Sequence, residues 1–419
     1  MIFRDTLENG IRVIAEQMPH YRSVSMGVWV DAGSICEQGQ ELGSSHFIEH
    51  MLFKGTEKRS AQDIAAEMDA IGGNLNAFTA KECTCYYAKV LGEHLDKAAD
   101  VLSDIVRHSR FDEEDIEREK GVVLEEILMT EDSPEDVAHE NLCELLYENQ
   151  PLATPILGTE ETVRGFTRDS LLSYMGRHYM PNNTVISCAG SFERDRLMDA
   201  LNACFSGGGT GERAGRGGSV LPGGKRFRAV KKDIEQVHLC IGFPGFALEE
   251  AGHYPLFVLN NALGGSMSSR LFQSIREERG LAYSVYSYPS SYKDTGYFAL
   301  YAGTGENTAD EVTALILKEL EDIRKNGITK EEFLRSKDQL KGSYMLGQES
   351  TSARSNAIGK MELLLGKVST EEEVIRRIEE ITLDDVMAII PKVLDPDAMC
   401  ASVVGRVDAV SEKLKARLG

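Results

Sequence analysis

Val24, Met26, Val28 and Val30 alternate with Ser23, Ser25, Gly27 and Trp29, the period-2 pattern of a β-strand. Just before them, an apolar start, the turn residues Glu8-Asn9-Gly10 and the run Ile11-Arg12-Val13-Ile14-Ala15 read as a hairpin. The pattern then changes. Phe47, Ile48, Met51, Leu52 and Phe53 leave almost no polar face, which predicts a buried helix rather than a surface one. Ser60-Ala61-Gln62-Asp63 has the form of a capping box, and Ile64, Met68 and Ile71 follow at helical spacing until Gly72-Gly73 ends the helix. Residues 74–90 read as extended chain with a turn inside it. Residues 95–107 and 112–130 read as amphipathic helices.

The second half repeats this plan. Val24–Gly33 has a counterpart in Val237–Gly245, each followed by an acidic loop. Gly43–Thr56 lies without gaps on His253–Ser266, and Thr84–Ala88 resembles Thr295–Ala299. Between the halves, residues 206–225 are Gly-rich and form the clearest linker. The expected boundaries are therefore 1–205, a linker at 206–225, and 226–419. Strands, a buried helix, a second helix, strands and then several helices per half predict an α+β fold. Its two homologous domains each pack a mostly antiparallel sheet against several helices.

A chain of 419 residues fits two domains, and 42% hydrophobic with 27% charged residues describes a soluble globular protein. No apolar run is long enough for a membrane span, and Met1–Thr6 carries an acidic residue early without an apolar leader. The expectation is a cytoplasmic protein of bacterial type rather than one of the mitochondrial matrix. The eight scattered cysteines read as buried thiols, because Cys83 and Cys85 lack a second close pair for a zinc knuckle. A net charge of −21 argues against nucleic acid as a partner. It would favour cationic peptides if it lined an internal chamber.

The buried helix carries the chemistry. His46-Phe47-Ile48-Glu49-His50 reads H-x-x-E-H, the zinc-protease motif H-E-x-x-H in reverse. Residues four apart share a helix face, so His46 and His50 can reach one metal, with Glu49 beside it where a base would take a proton from the attacking water. The bland alternative is a pair of buried structural histidines. Two His and a Glu inside an apolar helix need compensation, and a metal supplies it. In the second copy Leu256, Leu259 and Asn260 take the places of His46, Glu49 and His50, so only the first half can do this chemistry. A catalytic zinc usually takes a third protein ligand. Glu119, Val123 and Glu126 share one face of the following helix, and Glu125 points roughly 100° away from Glu126. A glutamate on an apolar stripe is either a surface residue reaching for water or a ligand, and spacing leaves both open.

The motif His46–His50, the segment Asn76-Ala77-Phe78-Thr79 and the helix Glu117–Glu126 together resemble the pitrilysin/insulinase family of inverzincin metallopeptidases, across essentially the whole chain. Within it they are most similar to the branch of the mitochondrial processing peptidase β-subunit and its bacterial homologues. The resemblance implies a zinc endopeptidase with one Zn2+ per chain, held by His46, His50 and Glu126. It makes Glu49 the base and Glu119 a support for the ligands. Gly73–Thr79 resembles the family's substrate-binding edge strand, which implies that Asn76, Ala77 and Phe78 meet an extended peptide. Arg276-Glu277-Glu278-Arg279-Gly280-Leu281-Ala282-Tyr283 resembles its R-x6-Y element, with Arg276 rather than Arg279 as the first member, and Arg276 and Tyr283 as substrate contacts. Long members enclose peptides with four such domains, so two chains are expected: a homodimer with shared sites. The alternatives are a peptidase specific for a basic leader and a non-catalytic assembly subunit.

Overall fold

A computed structural model describes residues 2–207, 209, 218, 224–407 and 411–419. Most of the Gly-rich stretch 206–225 lies outside these residues. The strands among the described residues are β1 (Ile2–Thr6), β2 (Arg12–Gln17), β3 (Ser23–Val30), β4 (Asn74–Thr79), β5 (Thr84–Leu91), β6 (Thr184–Gly190), β7 (Arg226–Lys231), β8 (Gln236–Pro244), β9 (Ala282–Ser291), β10 (Gly296–Gly305) and β11 (Cys400–Gly405). They form a six-stranded sheet in the order β1-β2-β6-β3-β5-β4 and a five-stranded sheet in the order β7-β11-β8-β10-β9. Apart from β1, the two sheets correspond strand for strand. β2 runs parallel to β6 and β7 to β11, and every other pairing is antiparallel. The fold is therefore α+β and internally duplicated, and the predicted hairpin is β1 with β2.

The compact units do not follow the boundaries 1–205 and 226–419. One unit takes residues 1–127, 154–217 and 346–370, and the other takes 128–153, 218–345 and 371–419. The chain thus crosses between units at five points, and the Gly-rich stretch holds only one of them. In the first unit the helix Thr351–Leu365, contributed by the second half of the sequence, covers β3 and β6. Reciprocally, the helix Pro134–Tyr147 of the first half covers β8 and β11 in the second unit.

This exchange explains why β3 is buried from Val24 to Val30 although its sequence alternates. Val24, Met26 and Val28 enter the core cluster on one face. Small and polar positions on the other face meet the incoming helix: Ser25 Oγ lies 3.0 Å from Ser352 Oγ, and on the neighbouring β6 Ser187 Oγ lies 2.9 Å from Ser355 Oγ. Trp29 Nε1 donates to Ser187 Oγ at 2.9 Å, and Gly359 lies flat on the indole, where a Cβ would stand 2.2 Å from Nε1. Two buried charges fasten the helix, Arg354 to Glu16 at 2.6 Å and Glu362 to Arg12 at 3.1 Å. A polar strand face is solvated only when nothing covers it, and sequence spacing does not show what covers it.

Candidate metal centre

The motif occupies the helix Ser44–Met51 in the first unit. Phe47, Ile48 and Met51 anchor it in the core, with the Phe47 ring 5.2 Å from that of Phe166. Its start is held by a residue that sequence spacing did not reveal. The buried Glu37 carboxylate accepts from the backbone N–H groups of Gly43 and Ser45, both at 2.7 Å. A negative group belongs at a helix N-terminus, where the amides lack partners. Burial pushes Glu37 up to about 7 in spite of these donors. Gly43 has φ +89, and a Cβ there would meet the Leu157 carbonyl oxygen at 2.6 Å, so glycine alone fits this entry.

The helix Glu113–Asp132 supplies the acids. Its first turn holds Glu113, Glu114 and Asp115, which suit the positive end of the helix. Glu119 and Val123 are buried, Glu126 is half-buried on the same side, and Glu125 is exposed. Tertiary packing turns Glu126 toward the two histidines. Glu126 Oε2 lies 3.5 Å from His46 Nε2 and 3.6 Å from His50 Nε2, and one ligand atom from each of the three residues falls within 4.8 Å of the others. Tetrahedral ligands at about 2.0–2.1 Å from a zinc ion stand roughly 3.3 Å apart, so this donor set fits that metal. Among the described residues it is the only such cluster of His, Cys, Asp and Glu.

The surroundings act on the two histidines in opposite directions. Burial, with His50 beside it, pushes His46 down to about 4, which keeps its imidazole neutral. His46 Nδ1 is itself buried and has no hydrogen-bond partner among the described residues. His50 differs: burial opposes its charged form, but the hydrogen bond and charge of Glu119, with Glu126 and Glu49, hold it above its ordinary value. Glu119 Oε1 lies 2.8 Å from His50 Nδ1, and Lys54 Nζ lies 2.6 Å from Glu119 Oε2. Burial raises the Glu119 carboxyl, but the bonds from His50 and Lys54 outweigh it and hold that acid ionised. Spacing gives no signal for Lys54, because it follows the end of the motif helix at Met51 and meets Glu119 only in the folded chain. Glu49 is half-buried, and its Oε2 accepts from Thr79 Oγ1 at 2.5 Å. Burial raises its carboxyl, with the Thr79 bond opposing.

Asn76, Ala77 and Phe78 lie on β4, the outermost strand of the first sheet. The Ala77 N–H donates to the Asn76 side-chain oxygen at 2.8 Å, at an exposed position, so it faces the open edge rather than β5. The Phe78 ring packs edge-on to Trp29 at 5.6 Å and lies 6.3 Å from Tyr87. Arg276 and Tyr283 belong to the second unit. The Arg276 guanidinium stacks 4.7 Å over the Tyr283 ring and donates to its carbonyl oxygen at 2.8 Å. Tyr283 is 77% exposed at the start of β9. Arg279 instead closes its own turn, bonding the Ser274 carbonyl and pairing with Glu278.

Two neutralisable imidazoles and a carboxylate around one point, with a further carboxylate on the same helix, define a metal-dependent hydrolase site. The family model described as Insulinase (Peptidase family M16) matches residues 12–160, and the Peptidase M16 inactive domain matches residues 165–340. An uncharacterized zinc protease of Bacillus subtilis is 46% identical over 403 residues, covering 96% of this chain and 98% of its own. One from Streptomyces coelicolor is 41% identical, covering 93% and 87%. A Helicobacter pylori protease superposes with a TM-score of 0.92 at 20% identity, covering 97% of this chain and 99% of its own. A peptidase M16 inactive domain structure from Pseudomonas fluorescens gives a TM-score of 0.90 at 20% identity, covering 97% and 98%. The chain belongs to peptidase family M16, the insulinase/pitrilysin family, and is a zinc metallopeptidase.

Proposed function

We propose that this zinc peptidase is an endopeptidase that cuts extended peptides or unfolded and leader segments docked on β4, within a chamber made by two copies of the chain. The convergence of His46, His50 and Glu126 beside Glu49 carries the reading. Zinc bound there, one ion per chain, would acidify a water and polarise a peptide carbonyl. The remaining work falls to the chain. Glu49 takes the proton from the attacking water and passes it to the leaving amine. Glu119 holds His50 with Nε2 turned to the ligand side, and Lys54 holds Glu119. The Ala77 N–H exchanges the Asn76 side chain for a peptide carbonyl, so binding runs through backbone and tolerates many side chains. Arg276 and Tyr283 of a second copy donate to the same peptide near the cleaved bond. All eight cysteines are thiols, which supports a reducing, cytoplasmic setting.

Zinc content and cleavage of a peptide library, with and without chelator, test this reading on the parent chain and Glu49→Gln. Expected are one zinc per chain, chelator-sensitive cutting, and a variant that keeps zinc but does not cut. A parent that binds zinc and cuts no peptide would be an assembly subunit, and one that cuts only basic leaders would be a specific processing enzyme. The shared site is tested by mixing Glu49→Gln with Arg276→Ala chains, each inactive alone. The mixture regains part of the activity if sites are composite, and regains none after demonstrated subunit exchange if they are not.

A further inference from the structure

We propose that Thr79 is a positioning residue for Glu49, through which the strand that docks the peptide also fixes the catalytic base. The inference rests on Glu49 being the base and β4 the docking edge. Thr79 is the last residue of β4, and its backbone is fixed in the ladder opposite Thr84. Its side chain is branched at Cβ and therefore stiff at χ1, so a fixed backbone means a fixed hydroxyl. That hydroxyl donates to Glu49 Oε2 at 2.5 Å, the length of an O–H···O⁻ bond to a charged acceptor. Among the described residues no other hydrogen bond reaches the Glu49 carboxylate. A half-buried glutamate with three rotatable bonds would otherwise sample several rotamers.

The bond assigns separate tasks to the two oxygens. Oε2 stays tied to Thr79, and Oε1 is left to receive the water's proton and later return it. Because Ala77 and Thr79 lie two apart on one strand, the peptide carbonyl set by Ala77 and the base set by Thr79 share a single frame. A misplacement of about 1 Å costs up to roughly a hundredfold in rate, so this coupling acts on turnover rather than on binding.

The test uses the full zinc-loaded chain as parent, Thr79→Val and Thr79→Ser, with kcat, KM and zinc content read for each. Valine keeps the branched shape and loses the donor, whereas serine keeps the donor. The expected result is a fall in kcat of about tenfold or more for Thr79→Val, with KM within about twofold and zinc unchanged, and recovery of at least half of kcat in Thr79→Ser. An unchanged kcat in Thr79→Val overturns the proposal. So does a loss confined to KM, which would make Thr79 a docking residue, or a loss of zinc. Serine as impaired as valine also overturns it, and remains informative should valine fold poorly. A parent that cuts no peptide instead removes the reading on which the proposal rests.

Discussion

Glu119 Oε1 stands 2.8 Å from His50 Nδ1, on the side of the imidazole turned away from Glu126. The carboxylate fixes which ring nitrogen carries the proton and leaves Nε2 as the lone-pair atom for a metal. Glu119→Gln keeps the shape and removes the charge. Zinc affinity should fall roughly 10–100-fold, measured by chelator competition. Lys54→Met, which loosens Glu119 without touching the imidazole, should weaken zinc in the same direction by less. Equal affinity in parent and Glu119→Gln would show that the pair has no bearing on the metal.

The open edge of β4 makes a second prediction. Ala77→Pro deletes one donor that faces away from β5, so the ladder of the sheet survives. One backbone hydrogen bond is worth about 1.5 kcal/mol, so kcat/KM should drop roughly tenfold, with zinc content and helix signal unchanged. Full activity on peptides in Ala77→Pro would remove β4 as the docking strand.

The exchanged helix can be probed at Gly359. Alanine is the better helix former by about 1 kcal/mol, so propensity alone predicts a gain. A Cβ 2.2 Å from the Trp29 indole predicts a loss of about 2 kcal/mol or more through overpacking. Urea unfolding of Gly359→Ala decides between the two signs, and the packing in this structure requires destabilisation.

His178 lies far in sequence from the cluster of His46, His50 and Glu126 and is buried; burial, with Arg177 beside it, pushes it from 6.5 down to about 4. The unfolded chain therefore takes up this proton first. The stability that neutral His178 contributes is complete above about 6.5 and disappears as pH falls toward about 4, a loss of at most about 3 kcal/mol. His178→Gln should shrink the stability difference between about pH 7 and about pH 4 by part of that amount in urea titrations. An identical difference in parent and variant would place the acid sensitivity elsewhere.

Local periodicity sets the elements and marks the candidate ligands. Period-2 alternation in β3, the capping box that Ser60 and Asp63 form, and the all-apolar flanks of the motif helix are local matters of backbone geometry and solvation. The pairing of His46 with His50 is local too, since residues four apart share a face. Glu119 and Glu126 were confined to one face in the same way. Only the tertiary structure set that face against the histidines, brought Glu37 to the start of the motif helix and laid Thr79 on Glu49. It also sent Thr351–Leu365 back to cover the first sheet, against the reading of two contiguous domains. These contacts join residues distant in the chain, and they depend on which surfaces the folded chain must bury together. Helical and strand periodicity fix which residues share a face, but not what that face will meet.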